Sequence, residues 1–277
     1  MKVMIFAAGM GTRLKPLTDS MPKALVPIAG KSLLQHVIEK LKGAGFGSFV
    51  VNIHHFAEQI REFVRDNESF GAEISFSDET DMLRETGGGI RHAAPLLNDG
   101  EPFLVHNVDI LSNLNVEEFY KGHCKDYKNG NIFATLLVSD RVTERYLLFN
   151  EDNILVGWMN IKTGEVKSPY AGLRRSPILT CGDMNVPIDP DYFDYEAFLE
   201  KNKLKKYAFA GIHIISPELL PLMDDMPEKF PIIDFYLSIC DRYNIKGHVA
   251  EGLRLVDVGK LNSLQVAEEL VRELDSL

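Results

Sequence analysis

The stretch Val3-Met4-Ile5-Phe6-Ala7-Ala8-Gly9-Met10-Gly11-Thr12-Arg13-Leu14-Lys15-Pro16-Leu17-Thr18 decides how the chain is read. Val3 to Ala7 is a short continuous apolar run, the pattern of a strand buried on both faces. Gly9 and Gly11 follow directly. Glycines there let the backbone approach a ligand closely, and successive N–H groups can cradle phosphate oxygens. Arg13 adds a forked donor, and Lys23, after Pro22, adds a mobile point charge. Two familiar phosphate loops do not fit. A dinucleotide fingerprint needs a third glycine where Leu14 stands, and the chain then runs into Pro16 rather than a helix. Gly30-Lys31-Ser32 matches the end of a Walker loop, but Leu25 stands at the place of its first glycine, so this segment reads as a turn into a helix cap.

Outward from the first strand, two periods alternate. Ser32 caps an expected helix with Leu33, Leu34, Val37, Ile38 and Leu41 on one face. Phe49–Ile53, Ile74–Phe76 and Phe103–His106 read as strands, and Glu58–Val64 as a helix. Gly89–Leu97 reads as a helix entered through a glycine run. The alternation implies an α/β fold with a doubly wound, mostly parallel sheet, Rossmann-like. The second half is richer in strands: Ile132–Val138, Tyr146–Phe149, Ile154–Trp158 and Tyr207–Ile215. Ser216 is expected to cap a helix with Pro217 in its first turn, and Ile232–Asp241 and Lys260–Leu274 read as helices. No linker-like or repetitive tract interrupts the sequence, so residues 1–277 are expected to form one domain, with halves of 1–130 and 131–277 meeting near Asn129-Gly130.

The 277 residues are 45% hydrophobic and 25% charged, which fits an ordinary globular core and excludes disorder or a disulfide-built mini-protein. The formal net charge of -10 argues against a nucleic-acid or anionic-membrane binder. Yet residues 1–31 carry five cations against the single acid Asp19, a local basic patch suited to a small phosphate ligand. Cys124, Cys181 and Cys240 are widely spaced and odd in number, which signals neither a zinc knuckle nor a disulfide framework and fits a reduced, cytoplasmic compartment. No apolar run approaches the roughly 20 residues of a membrane span. His54-His55 reads as structural, as does His213.

The motif Gly9 to Thr18 through Pro22-Lys23 resembles the signature loop of the sugar-1-phosphate nucleotidyltransferase family, in which G-x-G-[ST]-R-x-x-P-L-T is followed by a P-K pair. Glu85-Thr86-Gly87-Gly88-Gly89-Ile90 resembles that family's base-reading segment, in the form of its N-acetylmuramate-1-phosphate uridylyltransferase branch; related branches transfer guanylyl to mannose- or heptose-1-phosphate. The resemblance implies transfer of a nucleoside monophosphate from a nucleoside triphosphate to a sugar 1-phosphate, with uridylyl favoured and pyrophosphate leaving. It implies Mg2+ as the cofactor, held by Asp109 and Asp257, a sparse carboxylate set of the kind this hard cation takes. Arg13 would hold the departing phosphates, and Lys23 would bridge the α-phosphate and the sugar phosphate. Ala8, Gly9, Gly11 and Thr12 would border the nucleotide, and the backbone of Gly87 and Gly88, with Asn52 and Glu85, would meet the base or ribose.

Several positions depart from the family pattern. Val108 precedes Asp109 where glycine is usual, and Glu85 takes the glycine place of Leu-Gly-Thr. Gly157-Trp158-Met159-Asn160 replaces a Glu-Lys-Pro sugar motif, and Arg145-Tyr146 replaces Tyr-Gly. Activation chemistry is therefore better supported than any named sugar. Guanylyl transfer, cytidylyl transfer to a non-sugar phosphate, and an inactive nucleotide-sugar-binding regulator are the rival readings. Residues 161–200 suit a sugar lid or a subunit contact, which leaves a homo-oligomer open.

Overall fold

The computed structural model describes residues 1–176 and 193–274. The chain runs β1 (Lys2–Phe6), β2 (Pro27–Ile28), β3 (Lys31–Ser32), α1 (Leu33–Gly43), β4 (Ser48–Ile53), α2 (Ala57–Asp66), β5 (Glu73–Asp78), α3 (Glu85–Leu97), β6 (Phe103–Asn107), β7 (Ile110–Ser112) and α4 (Val116–Lys128). It continues through β8 (Ala134–Ser139), β9 (Arg145–Phe149), β10 (Leu155–Asn160), β11 (Glu165–Lys167), α5 (Tyr195–Asn202), β12 (Lys205–Ile215), α6 (Ile232–Ile239), β13 (Ile245–Val249), β14 (Leu255–Asp257) and α7 (Leu264–Leu274).

The apolar run at the N-terminus becomes the centre of a ten-stranded sheet, ordered β11-β10-β9-β12-β6-β1-β4-β5, with β8 against β12 and β13 against β8. The pairs β1–β4, β1–β6 and β4–β5 are parallel, so these strands end on the same edge. The strand β12 joins the two halves. It pairs antiparallel with β6 through Ile212–Ile215, with β8 through Ala208–Ile215, and with β9 through Lys205–Tyr207. The fold is thus α/β with a parallel nucleotide-side half and an antiparallel, strand-rich second half. One hydrophobic core lies on each face of the sheet, and each takes side chains from both halves: Val3, Leu104 and Leu137 in one, Met4, Val105 and Leu136 in the other.

Local expectations meet two corrections. The helix expected from Gly89 begins at Glu85, so the glycine run lies inside its first turns instead of forming a loop before it. Ser216 does not cap a helix: a short 3-10 turn, Pro217–Leu219, follows it, and its hydroxyl instead pairs with His123 Nε2 at 3.1 Å. The cap on α1 is as expected, with Ser32 Oγ accepting from Gln35 N at 3.1 Å. His213 is buried and pairs through Nδ1 with the Tyr236 hydroxyl at 2.6 Å, and burial pulls its pKa down to about 3, as for a packed core histidine. Among the described residues, no helix is long and apolar enough to cross a membrane.

Candidate active site

A cleft of about 380 Å3 opens where β1, β4 and β6 end. In an open parallel sheet this is the edge where ligands bind. The structure brings Ala8, Gly9, Gly11, Thr12, Arg13, Lys23, Asn52, Glu85 and Asp109 to its walls. Leu83, Thr86, Asn107, Val108 and Gly259 also line it.

The signature loop leaves β1 and folds into short 3-10 turns, Thr12–Leu14, Leu17–Asp19 and Lys23–Leu25. Gly11 is in the left-handed region at φ 62°, and a side chain there would put its Cβ 2.9 Å from the Thr18 methyl. Glycine is required by both conformation and packing. The turn is closed by Thr18 Oγ1 donating to the Gly11 carbonyl at 2.8 Å. Gly9 differs: nothing in the protein lies within 4 Å of where its Cβ would be, so the open space there belongs to the cleft. Lys23, only 8% exposed, is delivered to the floor and donates to Asp109 Oδ2. Arg13 is exposed at the rim and makes no ion pair among the described residues.

Asp109 and Asp257 come together through the two-stranded ladder of β7 and β14, which sets Asp257 opposite Ile110. Val258 N donates to the Asp109 carbonyl at 2.8 Å. Asp257 Oδ1 is buried and has no hydrogen-bond partner. A buried carboxylate oxygen without a donor is costly unless a cation or ligand completes it. Gly259 keeps the space beside it open: a methyl there would sit 2.8 Å from Asp257 Oδ1 and 3.0 Å from Arg13 Nη2. Two hard carboxylates beside this cleft fit Mg2+, which takes one or two carboxylates and completes its shell with phosphate oxygens and water. Among the described residues there is no cluster of three or more His, Cys, Asp or Glu suited to a metal.

Gly87 and Gly88 do not line the cleft. Their N–H groups both donate to the Phe230 carbonyl, at 2.9 and 3.2 Å. A methyl on Gly87 would lie 2.2 Å from the Phe230 ring, and one on Gly88 would lie 2.7 Å from the Glu228 carbonyl. These glycines let the first turn of α3 pack against the 228–231 segment, about 140 residues away in sequence, so no local signal distinguishes them from ligand-facing glycines. Asn52 is at the cleft but spends its side chain on the protein: Oδ1 accepts from Ala7 N at 2.7 Å and from Ala8 N at 3.2 Å. The N–H groups of Ala7 and Ala8 are therefore engaged. Glu85 does face the cleft, with Lys229 Nζ 3.9 Å from Oε1. Its φ is +60°, a left-handed conformation that costs a non-glycine residue about 1–2 kcal/mol and explains why glycine suits this position in the pattern.

This site joins backbone turns, two cations and two carboxylates at the carboxyl edge of a parallel sheet in an α/β protein. The chain belongs to the nucleotidyl transferase family, whose model matches residues 2–153. It is 46% identical over 110 residues to the N-acetylmuramate alpha-1-phosphate uridylyltransferase of Caulobacter vibrioides, covering 39% of this chain and 45% of that protein. It is 45% identical over 114 residues to the protein of the same name from Neisseria meningitidis, covering 41% and 49%. A mannose-1-phosphate guanyltransferase of Gibberella zeae is 37% identical over 137 residues, covering 49% and 37%. The chain spans about half the length, or less, of these curated relatives. The fold matches a UDP-glucose pyrophosphorylase complexed with UDP-glucose, with a TM-score of 0.68 at 15% identity over 99% of this chain and 98% of that one. It also matches HddC from Yersinia pseudotuberculosis complexed with GMP-PN, with a TM-score of 0.65 at 19% identity over 97% and 98%.

Proposed function

We propose that this chain transfers a nucleoside monophosphate, preferentially uridylyl, from a nucleoside triphosphate to a sugar 1-phosphate. A phosphate oxygen of the sugar 1-phosphate attacks the α-phosphorus, the bond to the α–β bridging oxygen breaks, and pyrophosphate leaves with the bonding pair. The attacking oxygen is already anionic, so no general base is needed. The work is to hold two polyanions together and to offset charge as it moves. The observation that carries the reading is the convergence of Arg13, Lys23 and Asp109 on the glycine loop at one strand-end cleft.

Each residue then has a defined task. Asp109 holds Lys23 in the cleft, from where its ammonium would bridge the α-phosphate and the sugar phosphate. Arg13 at the rim faces the departing phosphates with a planar fork of donors. The Gly9–Gly11 turn gives the phosphates a close approach to the backbone. Glu85 offers an acceptor for a base N–H or a ribose hydroxyl. Asp109 and Asp257 would hold a Mg2+ ion, which when bound neutralises phosphate charge and orients the reacting groups. Uridylyl is preferred because the two relatives at 45% and 46% identity are uridylyltransferases by name. The match to a guanyltransferase keeps guanylyl transfer as the second reading.

The free thiol of Cys240 and that of Cys124 accord with a reduced, cytoplasmic setting. Residues 177–192, part of the segment suited to a sugar lid or subunit contact, and Cys181 with them, lie outside the described residues. The test is pyrophosphate release from each common nucleoside triphosphate against a panel of sugar 1-phosphates that includes N-acetylmuramate 1-phosphate, with and without Mg2+. Mg2+-dependent release with UTP is expected. No release with any pair would overturn the reading in favour of a binding protein.

A further inference from the structure

A fully buried carboxylate lies behind the cleft and is not used in the chemistry above. Glu79 is 0% exposed. Its Oε1 accepts from Asn52 Nδ2 at 2.8 Å, and its Oε2 accepts from Arg84 N at 3.0 Å. Asn52 in turn holds the N–H groups of Ala7 and Ala8 on its Oδ1. Arg84 immediately precedes Glu85, a left-handed residue that also lines the cleft. The main chain of Glu79 is itself fixed: its N–H donates to Ile53 O at 2.8 Å, and its carbonyl pairs with His54 Nδ1 at 2.6 Å. Gly89 leaves the space that this carboxylate fills, since a methyl there would lie 2.9 Å from Glu79 Oε1.

We propose that Glu79 is a positioning residue for nucleotide recognition: one carboxylate oxygen sets the Ala7–Ala8 wall through Asn52, and the other sets the Glu85 wall through Arg84. This rests on the nucleotidyl-transfer reading. An uncharged amide cannot replace the carboxylate. A glutamine must turn its NH2 toward either Asn52 Nδ2 or Arg84 N, and both are donors. One wall therefore loses its anchor while the phosphate-side cations, Arg13 and Lys23, remain.

The test is Glu79→Gln in the full chain, with steady-state kinetics in both substrates and a thermal melt. The KM for UTP is expected to rise about 10- to 100-fold, with kcat within about threefold and the KM for the sugar 1-phosphate unchanged. Gly89→Ala, which presses on the same oxygen from the other side, is expected to give the same split, and it carries the measurement if Glu79→Gln does not fold. A purely structural role would lower the melting temperature, or scale kcat with the active fraction, and would leave the KM for UTP unmoved; that result overturns the proposal. If the wild-type chain turns over no nucleoside triphosphate, the nucleotidyl-transfer reading itself falls and takes this inference with it. Normal wild-type turnover with an unaltered KM in both variants sinks the positioning role alone.

Discussion

The chain carries two glycine-rich segments beside the same cleft, and they use glycine for opposite reasons. In Gly9–Gly11, glycine serves a turn and an approaching ligand: Gly11 is left-handed, and Gly9 borders empty space. In Gly87–Gly89, every glycine is covered by the protein itself, by Phe230, by Glu228 or by Glu79. The first segment builds the site, and the second builds the wall behind it. A glycine run next to a strand is therefore evidence of close approach, but it does not say whether the approaching group is a ligand or another part of the chain.

The largest test of the contrast lies on the loop side. Lys23→Ala is expected to cut turnover by about 10²–10³, measured as kcat for pyrophosphate release, because it removes a cation from the floor of the cleft. Wild-type turnover would end its catalytic assignment. On the wall side, Gly87→Ala drives a methyl into the Phe230 ring and is expected to cost about 1–3 kcal/mol of stability, read by urea unfolding. Gly9→Ala should do the reverse: stability within about 0.5 kcal/mol of wild type, but weaker nucleotide binding by calorimetry. If Gly9→Ala unfolds the protein while Gly87→Ala does not, the division drawn between the two segments is wrong.

A smaller effect is expected at the junction of the two regions. Glu85→Gly relieves a left-handed side chain, and stability should hold or rise by up to about 1 kcal/mol, while the KM for UTP increases through loss of the acceptor. An unchanged KM would remove Glu85 from nucleotide recognition. A pH response should arise away from both segments. Burial lowers the pKa of His123 to about 4 and that of His213 to about 3. Both are neutral in the folded protein and take up protons more readily when unfolded. Their contribution is complete above about pH 6.5 and is lost as pH falls toward these lowered values, at about 1.4 kcal/mol per pH unit for each histidine. Unfolding midpoints at pH 7 and pH 5 would check this, and His213→Phe should flatten the slope.

The central strand, its loop and the cations were legible in the sequence because they are contiguous. Val3 to Ala7 needs burial on both faces, and Gly11 needs a left-handed turn, whatever the rest of the chain does. Asp109 was legible as a carboxylate just past an apolar strand. The start of α3 is hidden in the sequence because Glu85 to Gly89 has poor helix propensity, and the N–H groups of Gly87 and Gly88 there are satisfied by the distant Phe230 carbonyl. Asn52 spends its amide on Ala7, Ala8 and Glu79 rather than on a ligand, and a strand-end asparagine gives no local sign of which partner will take it.

By itself, the sequence determined a parallel α/β half with a phosphate-suited loop, since alternating periods and adjacent glycines and cations act over a few residues. It also placed a basic patch inside an acidic chain. Only the tertiary structure decided which polar groups are spent on the protein and which stay available. The amides of Ala7, Ala8, Gly87 and Gly88 and one oxygen of the buried Glu79 carboxylate are engaged by partners dozens to more than a hundred residues distant, while the buried Oδ1 of Asp257 is left with none. Hydrogen-bond satisfaction in a closed interior is set by what the fold brings within about 3 Å, and sequence spacing does not encode that distance.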